Sequence, residues 1–211
     1  MDTDEYRSEV RDGMRIDWDV PVPMPDGTVL RADVYRPVAA GRYPVIMTHG
    51  PYAKGLAFQA GFAGMWKPLS AKYPDAVAGS SNRYQNWETA DPEKWVPDGY
   101  ACVRVDSRGA GRSPGRLDIF SAQETRDYYD SIEWAGTREW SNGKVGLLGI
   151  SYYAVNQWQV AALRPPPAIG SPVVGFVSPR PPPPYCTAET WAGYQTETKV
   201  SRMPPWWVNS R

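Results

Sequence analysis

The sequence predicts an α/β fold, with a mostly parallel sheet and helices on both of its faces. Short apolar runs that read as buried strands alternate along the chain with segments of helical period, and this order favours parallel pairing. The apolar run at 144–150 also passes directly into a plausible amphipathic helix at 152–163. With 211 residues, of which 42% are hydrophobic, the chain can bury one sizeable core.

The first elements form a predicted β-hairpin. Apolar and polar positions alternate through residues 16–22 and 28–35, on either side of a turn at Pro25-Asp26-Gly27. Pro21 and Pro23 lack the N–H that a sheet ladder needs. The first strand of this hairpin is therefore predicted at an edge of the sheet.

Two further strands and a helix follow the hairpin. Residues 43–48 form a short buried strand that ends in a loop at 49–55, and residues 100–106 form another central strand. Residues 56–95 show no clear period and are predicted as a long loop with short helical turns, of the kind that often shapes a binding site. Residues 122–135 have a helical period. The apolar face of this helix is predicted at Tyr128, Ile132 and Trp134 or Ala135.

The apolar run 144–150 leads to Ser151 in the pattern of a nucleophile elbow. Gly149 lets the backbone bend sharply, so that Ser151 is presented at the carboxyl end of the strand, where ligands bind in open α/β sheets. In the G-x-S-x-G form of the elbow the fifth position is small, whereas here it is Tyr153, with Ala154 next. A serine so placed could attack an acyl carbon. The same residues also fit a buried strand followed by a helix with Ser151 as its N-cap, because serine is a preferred cap.

The composition bears on partners and location. Lys and Arg number 23, as do Asp and Glu, so nothing favours nucleic acid or an anionic membrane as a partner. No apolar stretch approaches membrane-spanning length, and the acidic start at 1–7 is unlike a secretory signal, so a cytoplasmic location is expected. Cys102 and Cys186 are too few for a disulfide framework or a metal cluster and are predicted to be structural. The sequence does not determine the oligomeric state.

Two glycine patterns are similar to cofactor loops but fail in their details. Gly109-Ala-Gly111 follows a strand, but Pro114 stands at the third glycine position of a dinucleotide fingerprint. Gly143-Lys144 is similar to the end of a phosphate loop, but Val145 replaces its Ser or Thr, and Arg138 stands where that loop begins with glycine. No cofactor and no metal is therefore predicted.

Four stretches match one protein family in the right order. They are MPDGTVLRADVYRP at 24–37, GPYAK at 50–54, DGYA…VDSRGAGRSPG at 98–115 and W…WSNGKVG…GISY at 134–152. Together they resemble the X-Pro dipeptidyl-peptidase-like serine hydrolases of the cocaine esterase type, a branch of the α/β-hydrolase fold. The resemblance covers roughly residues 14–164. It departs from the family's Ser-Tyr-x-Gly at the last place, which is Ala154 here.

The resemblance implies an α/β-hydrolase-type sheet and a serine hydrolase that cleaves an ester or amide through an acyl-enzyme. Its substrate would be a small-molecule ester or amide, or a short peptide. The resemblance assigns Ser151 as the nucleophile, and the backbone N–H of Tyr152 and the phenol of Tyr52 as the oxyanion hole. Losing one such donor typically raises the barrier by ~3 kcal/mol. A packing role for Tyr52 is the alternative, and Asp106 and Arg108 are predicted to be structural.

The rest of a catalytic triad is not found in the order of this fold. That order is Ser, acid, His, and after Ser151 the chain has no His and no Asp, its only acids being Glu189 and Glu197. The sole histidine, His49, precedes the serine. His49, Asp106 and Ser151 follow the chymotrypsin order, but triad order is tied to fold, so a structural role for His49 is favoured. An impaired hydrolase is predicted, with a non-catalytic pseudoenzyme or small-molecule binding module, or a short hydrolase using His49, as alternatives.

Residues 164–211 differ in composition from the rest of the chain. They hold half of the 22 prolines, show no clear helical period and do not resemble the family, so a disordered or extended polyproline tail is predicted. A truncated or frame-shifted gene is expected, and another reading frame beyond 163–167 should encode an apolar strand and then an Asp and a His. The alternative is a natural tail whose prolines at 181–184 bind an aromatic groove.

Two units are accordingly predicted. Residues 14–163 form the N-terminal part of an α/β-hydrolase catalytic domain, incomplete at its C-terminal side, and residues 164–211 form the Pro-rich tail. The apolar Val155, Trp158 and Ala162 of the helix after Ser151 would need a packing partner that the tail does not supply.

Overall fold

The structure, a computed structural model, describes residues 6–163 and the backbone of residues 174–176. In that part of the chain the strands are β1 (Arg7–Arg11), β2 (Met14–Pro23), β3 (Val29–Pro37), β4 (Tyr43–Gly50), β5 (Ala101–Asp106), β6 (Ser141–Leu148) and β7 (Val174–Phe176). The helices are α1 (Phe58–Gly61), α2 (Ala63–Lys72), α3 (Pro74–Val77), α4 (Pro92–Trp95), α5 (Ala122–Gly136) and α6 (Tyr152–Ala162).

These strands form one open, mixed sheet in the order β1-β2-β3-β5-β4-β6-β7. The pairs β1 with β2, β2 with β3 and β3 with β5 are antiparallel. The pairs β5 with β4, β4 with β6 and β6 with β7 are parallel. The predicted α/β class is confirmed, with β5, β4, β6 and β7 as its parallel part and the N-terminal hairpin added at one side.

The hairpin of β2 and β3 has the predicted turn, but β2 does not lie at the edge of the sheet. β1 pairs with β2 from Met14 to Trp18, so the prediction of an edge strand is wrong for this first half of β2. Pro21 and Pro23 lie beyond that pairing, where β2 bonds to β3 alone among the described strands. A proline without its N–H is tolerated there because no outer strand requires the donor.

Two hydrophobic clusters fill the two faces of the sheet. Because neighbouring strand residues point to opposite faces, Val34 joins one cluster and Tyr35 the other. The first packs the sheet against α1 to α4 through buried side chains that include Ile16, Tyr35, Cys102, Phe58, Leu69 and Trp95. The second packs the opposite face against α5 and α6 through buried side chains that include Val103, Leu147, Tyr128, Ile132, Ala135 and Val160. Helices therefore cover both faces, and α5 buries the face predicted for it.

The long segment 56–95 contains more helix than predicted. Its longest helix, α2, has ten residues, and Pro68 lies inside it. Only Leu69 of α2 is buried, so no apolar stripe of helical period marks this helix in the sequence. The predicted loop at 49–55 is also too long at its start, because His49 and Gly50 still pair with β5 as the last residues of β4.

The outer side of α6 is apolar and exposed in the described part of the chain. Val155, Trp158 and Leu163 are exposed, Trp158 to 65%, and Ala162 is exposed as well. Val160 is instead buried against the sheet. Within residues 6–163, α6 therefore has one packed side and one exposed apolar side.

Most of the predicted Pro-rich tail lies outside the described residues, as do Cys186, Glu189 and Glu197. Its described part is the backbone of β7, which pairs in parallel with β6 from Gly146 to Leu148. Among the described residues, no helix combines the length and the apolar character needed to cross a membrane.

Candidate active site

Ser151 lies at a tight turn between β6 and α6. Its backbone has φ 54° and ψ −114°, a region that costs a non-glycine residue about 1–3 kcal/mol and that is concentrated at functional sites. Its side chain is exposed and makes no capping hydrogen bond to α6. The turn thus holds the Ser151 hydroxyl at the carboxyl end of a central strand, free of the hydrogen bond that the N-cap interpretation requires.

Two glycines make room for the large side chain at the fifth position of the elbow. A Cβ on Gly149 would lie 2.2 Å from Tyr153 Cβ and 2.8 Å from Tyr153 O. A Cβ on Gly50 would lie 2.3 Å from Tyr153 Cε1. Tyr153 therefore fits beside the turn because the last residue of β4 and the first residue after β6 carry no side chain. In the sequence alone, Tyr153 is only a departure from the elbow motif, and nothing along the chain predicts this fit.

Tyr52 lies against the first two residues of α6. Its half-buried ring packs edge-on to Tyr152, with centroids 5.9 Å apart, and edge-on to Tyr153 at 5.4 Å. The backbone N–H of Tyr52 also hydrogen-bonds the Tyr153 hydroxyl. As the first residue of α6, Tyr152 has a backbone N–H for which the helix offers no acceptor. The structure therefore brings Ser151, Tyr152 and Tyr52, the three predicted site residues, to one end of the sheet.

The loop that carries Tyr52 is held by the buried Lys54. The Lys54 ammonium lies 2.5 Å from Asp19 Oδ1 and 2.8 Å from Asp33 Oδ1, and its backbone N–H donates to Asp106 Oδ1 at 2.7 Å. Burial opposes the charge of Lys54, but the carboxylates of Asp33 and Asp19 outweigh it and raise the pKa of Lys54. Three charged contacts thus fix the position of the loop next to Tyr52.

Asp106 and Arg108 have separate structural roles. The buried Asp106 carboxylate also accepts a hydrogen bond from the backbone N–H of Arg112 at 2.8 Å, and burial raises its pKa. Arg108 makes two hydrogen bonds of 2.9 Å to Asp127 and an ion pair of 2.9 Å to Asp26, and these acids raise its pKa. Asp106 closes the turn after β5, while Arg108 joins that turn to α5 and to the hairpin turn.

His49 is fully buried in the sheet. Its ring stacks on Tyr128 with centroids 5.0 Å apart, and Nδ1 lies 3.4 Å from Ser107 Oγ. Burial lowers the pKa of His49 to about 4, so its ring is neutral at pH 7. In residues 6–163 its Nε2 has no hydrogen-bond partner, and no hydrogen bond joins it to Asp106 or Ser151. These contacts favour a structural role for His49 over a catalytic triad of His49, Asp106 and Ser151.

Glu124 also lies at this site, and it is not among the residues predicted from the sequence although a signal for it is present. Ser121 and Glu124 have the spacing of a capping box at the start of α5, and Ser121 Oγ does accept from the Glu124 N–H at 3.1 Å. The Glu124 carboxylate lies at the elbow, where it accepts a hydrogen bond from the Tyr152 hydroxyl.

Cys102 is buried, and the metal-ligating side chains of the described residues are dispersed. Cys102 lies buried in β5, and burial raises the pKa of its thiol to about 12. Within the described ranges, no three His, Cys, Asp or Glu side chains are grouped so that they could hold a metal ion.

A comparison with protein families decides the classification. The model of the X-Pro dipeptidyl-peptidase (S15) family matches residues 26–179, which is more than half of the chain. The chain belongs to the X-Pro dipeptidyl-peptidase family. The match continues past residue 164, where the resemblance of the four sequence stretches ends, and it includes β7.

Individual relatives agree with this membership. Cocaine esterase from Rhodococcus sp. (strain MB1 Bresler) is 34% identical over 142 residues, which cover 67% of this chain and 20% of the esterase. An Xaa-Pro dipeptidyl-peptidase from Streptococcus gordonii is 25% identical over 162 residues, which cover 59% of this chain and 21% of that enzyme. The chain thus spans about a fifth of the length of these curated relatives.

A crystal structure of a CocE/NonD family hydrolase from Staphylococcus aureus has the same fold. It superposes with a TM-score of 0.63 at 36% identity, over 76% of this chain and 29% of the hydrolase. This chain therefore shares both the family and the fold of these proteins over the part that it spans.

Proposed function

We propose that this chain carries the nucleophile and the oxyanion hole of a serine hydrolase that cleaves an ester or amide through an acyl-enzyme on Ser151. The observation that carries the proposal is the backbone of Ser151, at φ 54° and ψ −114° between β6 and α6. This is the sharp strand-to-helix turn that presents the serine of an α/β-hydrolase. A relative named as an esterase and another named as a dipeptidyl-peptidase support a small ester, an amide or a short peptide as substrate.

The proposed chemistry begins with attack of Ser151 Oγ on the substrate carbonyl carbon. The carbonyl oxygen then becomes an oxyanion, which the Tyr152 N–H and the Tyr52 hydroxyl stabilise as hydrogen-bond donors. Such donors act best when they are already oriented, because no reorganisation is then needed in the transition state. The support for this role is the packing of Tyr52 against Tyr152 and the fixing of its loop by Lys54.

The proton of Ser151 needs a base, and the 211 residues supply one histidine, His49. That ring is buried, stacked on Tyr128 and without a hydrogen bond to Ser151 among the described residues. A serine hydroxyl without a positioned base is a weak nucleophile. We therefore propose that the 211-residue polypeptide is catalytically impaired.

Ester hydrolysis tests this proposal directly. We expect the 211-residue polypeptide to turn over p-nitrophenyl acetate slowly, and Ser151→Ala to remove the remaining Ser151-dependent rate. His49→Gln is the matched control, and the rate should not change with it. Fast turnover that both substitutions abolish would instead make His49 the base and contradict the proposed impairment.

A non-catalytic pseudoenzyme or small-molecule binding module is the second candidate. It is favoured by the same isolation of His49 from Ser151. Acylation separates the two functions, since an acyl-enzyme gives a burst of product in the first turnover, whereas a binding module gives none. The cytoplasmic location and the absence of nucleic-acid and membrane partners stay predictions.

A further inference from the structure

A buried carboxylate joins three separate parts of the chain next to Ser151. Glu124, in the first turn of α5, is 6% exposed. Its Oε1 accepts from Ser107 Oγ at 2.7 Å. Its Oε2 accepts from the Phe120 N–H at 2.7 Å and from the Tyr152 hydroxyl. Glu124 therefore connects the turn after β5, the start of α5 and the first residue of α6.

One of these partners is held in a strained conformation. Phe120 has φ 56°, in the left-handed region that is unusual for a bulky residue. Its ring is 40% exposed and stacks on the Tyr152 ring, with centroids 4.3 Å apart and planes 20° apart. The hydrogen bond from Phe120 N to Glu124 offsets part of that strain, because bonds to a carboxylate are about twice as strong as neutral ones. Glu124 thus binds the Tyr152 hydroxyl directly. It also holds the backbone of Phe120, whose ring covers the Tyr152 ring.

The connection also reaches His49. The Ser107 hydroxyl uses its proton for Glu124, so it can only accept from His49 Nδ1, which lies 3.4 Å away. This order of donors and acceptors corresponds to a neutral His49 with its proton on Nδ1. The ends of β4 and β5 are therefore tied to the first residue of α6 through Glu124.

We propose that Glu124 is a positioning residue of the elbow, which acts by holding Tyr152 so that its backbone N–H faces the oxyanion formed at Ser151. The inference rests on the proposed function of Ser151 and Tyr152. Glu124 itself does not touch the reacting atoms. Its effect is confined to an adduct that carries a negative oxygen, because only that adduct uses the Tyr152 N–H.

Phenylboronic acid is the probe, since it needs no leaving group and no turnover. Ser151 Oγ forms a bond to boron, the Oγ proton passes to the solvent, and boron becomes tetrahedral with the negative charge on the adduct. Binding to the 211-residue chain is followed by the boron-11 signal and by calorimetry, at a temperature at which every variant is folded. We expect Ser151→Ala to abolish the tetrahedral signal.

Four variants separate positioning from a merely structural role. Glu124→Met removes both acceptors and should weaken the boronate affinity about tenfold or more. Glu124→Gln should restore most of it, because the amide oxygen still accepts from Phe120 and Tyr152 while the amide N–H donates to Ser107. Tyr152→Phe should weaken the affinity in the same direction, and adding it to Glu124→Met should cause little further loss, since both act through one contact.

The matched control is Asp127→Met, which removes a second buried carboxylate of α5, the one bonded to Arg108. It should lower the free energy of unfolding but change the boronate affinity by less than about twofold. An equal loss of affinity in Asp127→Met and Glu124→Met would make the effect structural and overturn the inference.

The remaining outcomes distinguish the inference from the proposed function. If Ser151→Ala binds as tightly as the wild type, Ser151 is not the site and the proposed function fails. If Ser151→Ala loses binding while Glu124→Met and Tyr152→Phe keep it, the proposed function stands and the inference is wrong. If Glu124→Met does not fold, Tyr152→Phe decides, because it removes a single hydroxyl.

Discussion

At the scale of single residues, the elbow depends on the lack of a side chain at Gly149. Gly149 approaches the backbone of Tyr153 so closely that a Cβ would lie 2.8 Å from its carbonyl carbon. Backbone atoms cannot move aside as a side chain can. The strained φ of Ser151 is therefore maintained by packing at its neighbours, and a single methyl group at the wrong place should disturb it.

We expect Gly149→Ala to lower the free energy of unfolding by about 1–3 kcal/mol, because the new methyl group overlaps Tyr153. Urea denaturation measures the change. Gly64→Ala in α2 is the control, since a Cβ there meets nothing within 4 Å, and alanine in a helix is about 0.5–1 kcal/mol more favourable than glycine. Equal stabilities of the two variants would show that the turn tolerates the methyl group.

At the scale of elements, the loop after β4 is attached to the N-terminal hairpin and to β5. Lys54 bonds Asp19 at the bulge of β2 and Asp33 on β3, and its backbone bonds Asp106 at the end of β5. Asp33 is almost fully buried. The antiparallel hairpin therefore positions a loop that belongs to the parallel part of the sheet.

Replacing Lys54 with Met should destabilise the fold by about 3–5 kcal/mol, because Asp33 would be left buried without its partner. The variant Lys54→Met with Asp33→Asn should recover part of that loss. Arg11→Met is the control, because its ion pair with Asp12 spans 3.5 Å between exposed side chains. Chemical denaturation that gives Lys54→Met the same midpoint as Arg11→Met would contradict the role of the buried ammonium.

At the scale of the whole molecule, His49 makes stability depend on pH. It lies at the carboxyl end of β4, between the two helix layers, and its folded pKa is about 4 instead of the usual 6.5. Between these values the unfolded chain binds a proton that the folded chain does not. The stabilising effect of a neutral His49 is therefore fully present above about pH 6.5 and is lost as the pH falls toward about 4.

The free energy of unfolding should fall by about 3 kcal/mol through this group over that pH range, since one pKa unit corresponds to about 1.4 kcal/mol. Buried Asp91 and Asp106 have raised pKa values and act with the opposite sign, so the wild type alone does not isolate His49. Urea titrations of wild type and His49→Gln from about pH 7.5 to about pH 4.5 isolate it by difference. Parallel curves for the two proteins would mean that His49 is not buried as a neutral ring.

The sequence by itself determined the local elements and their order. Alternation over residues 16–35 predicts the hairpin, and helical period over residues 122–135 predicts α5, because these signals come from neighbours along the chain. The place of Ser151 between β6 and α6 was predicted in the same way, from Gly149 and the change of period. The sequence does not predict α2, because Pro68 lies inside this helix and a single buried leucine leaves no apolar stripe of helical period.

Only the tertiary structure decided which distant residues meet. The strand order placed β1 outside β2 and so corrected the prediction that β2 is an edge strand. Gly50, at the end of β4, left the space that Tyr153 occupies. The tertiary structure also brought Glu124 of α5 to the Tyr152 hydroxyl, 28 positions away along the chain. Local propensity is a property of neighbouring residues, whereas buried polar groups must find partners wherever packing brings them, and that choice is made by the folded chain as a whole.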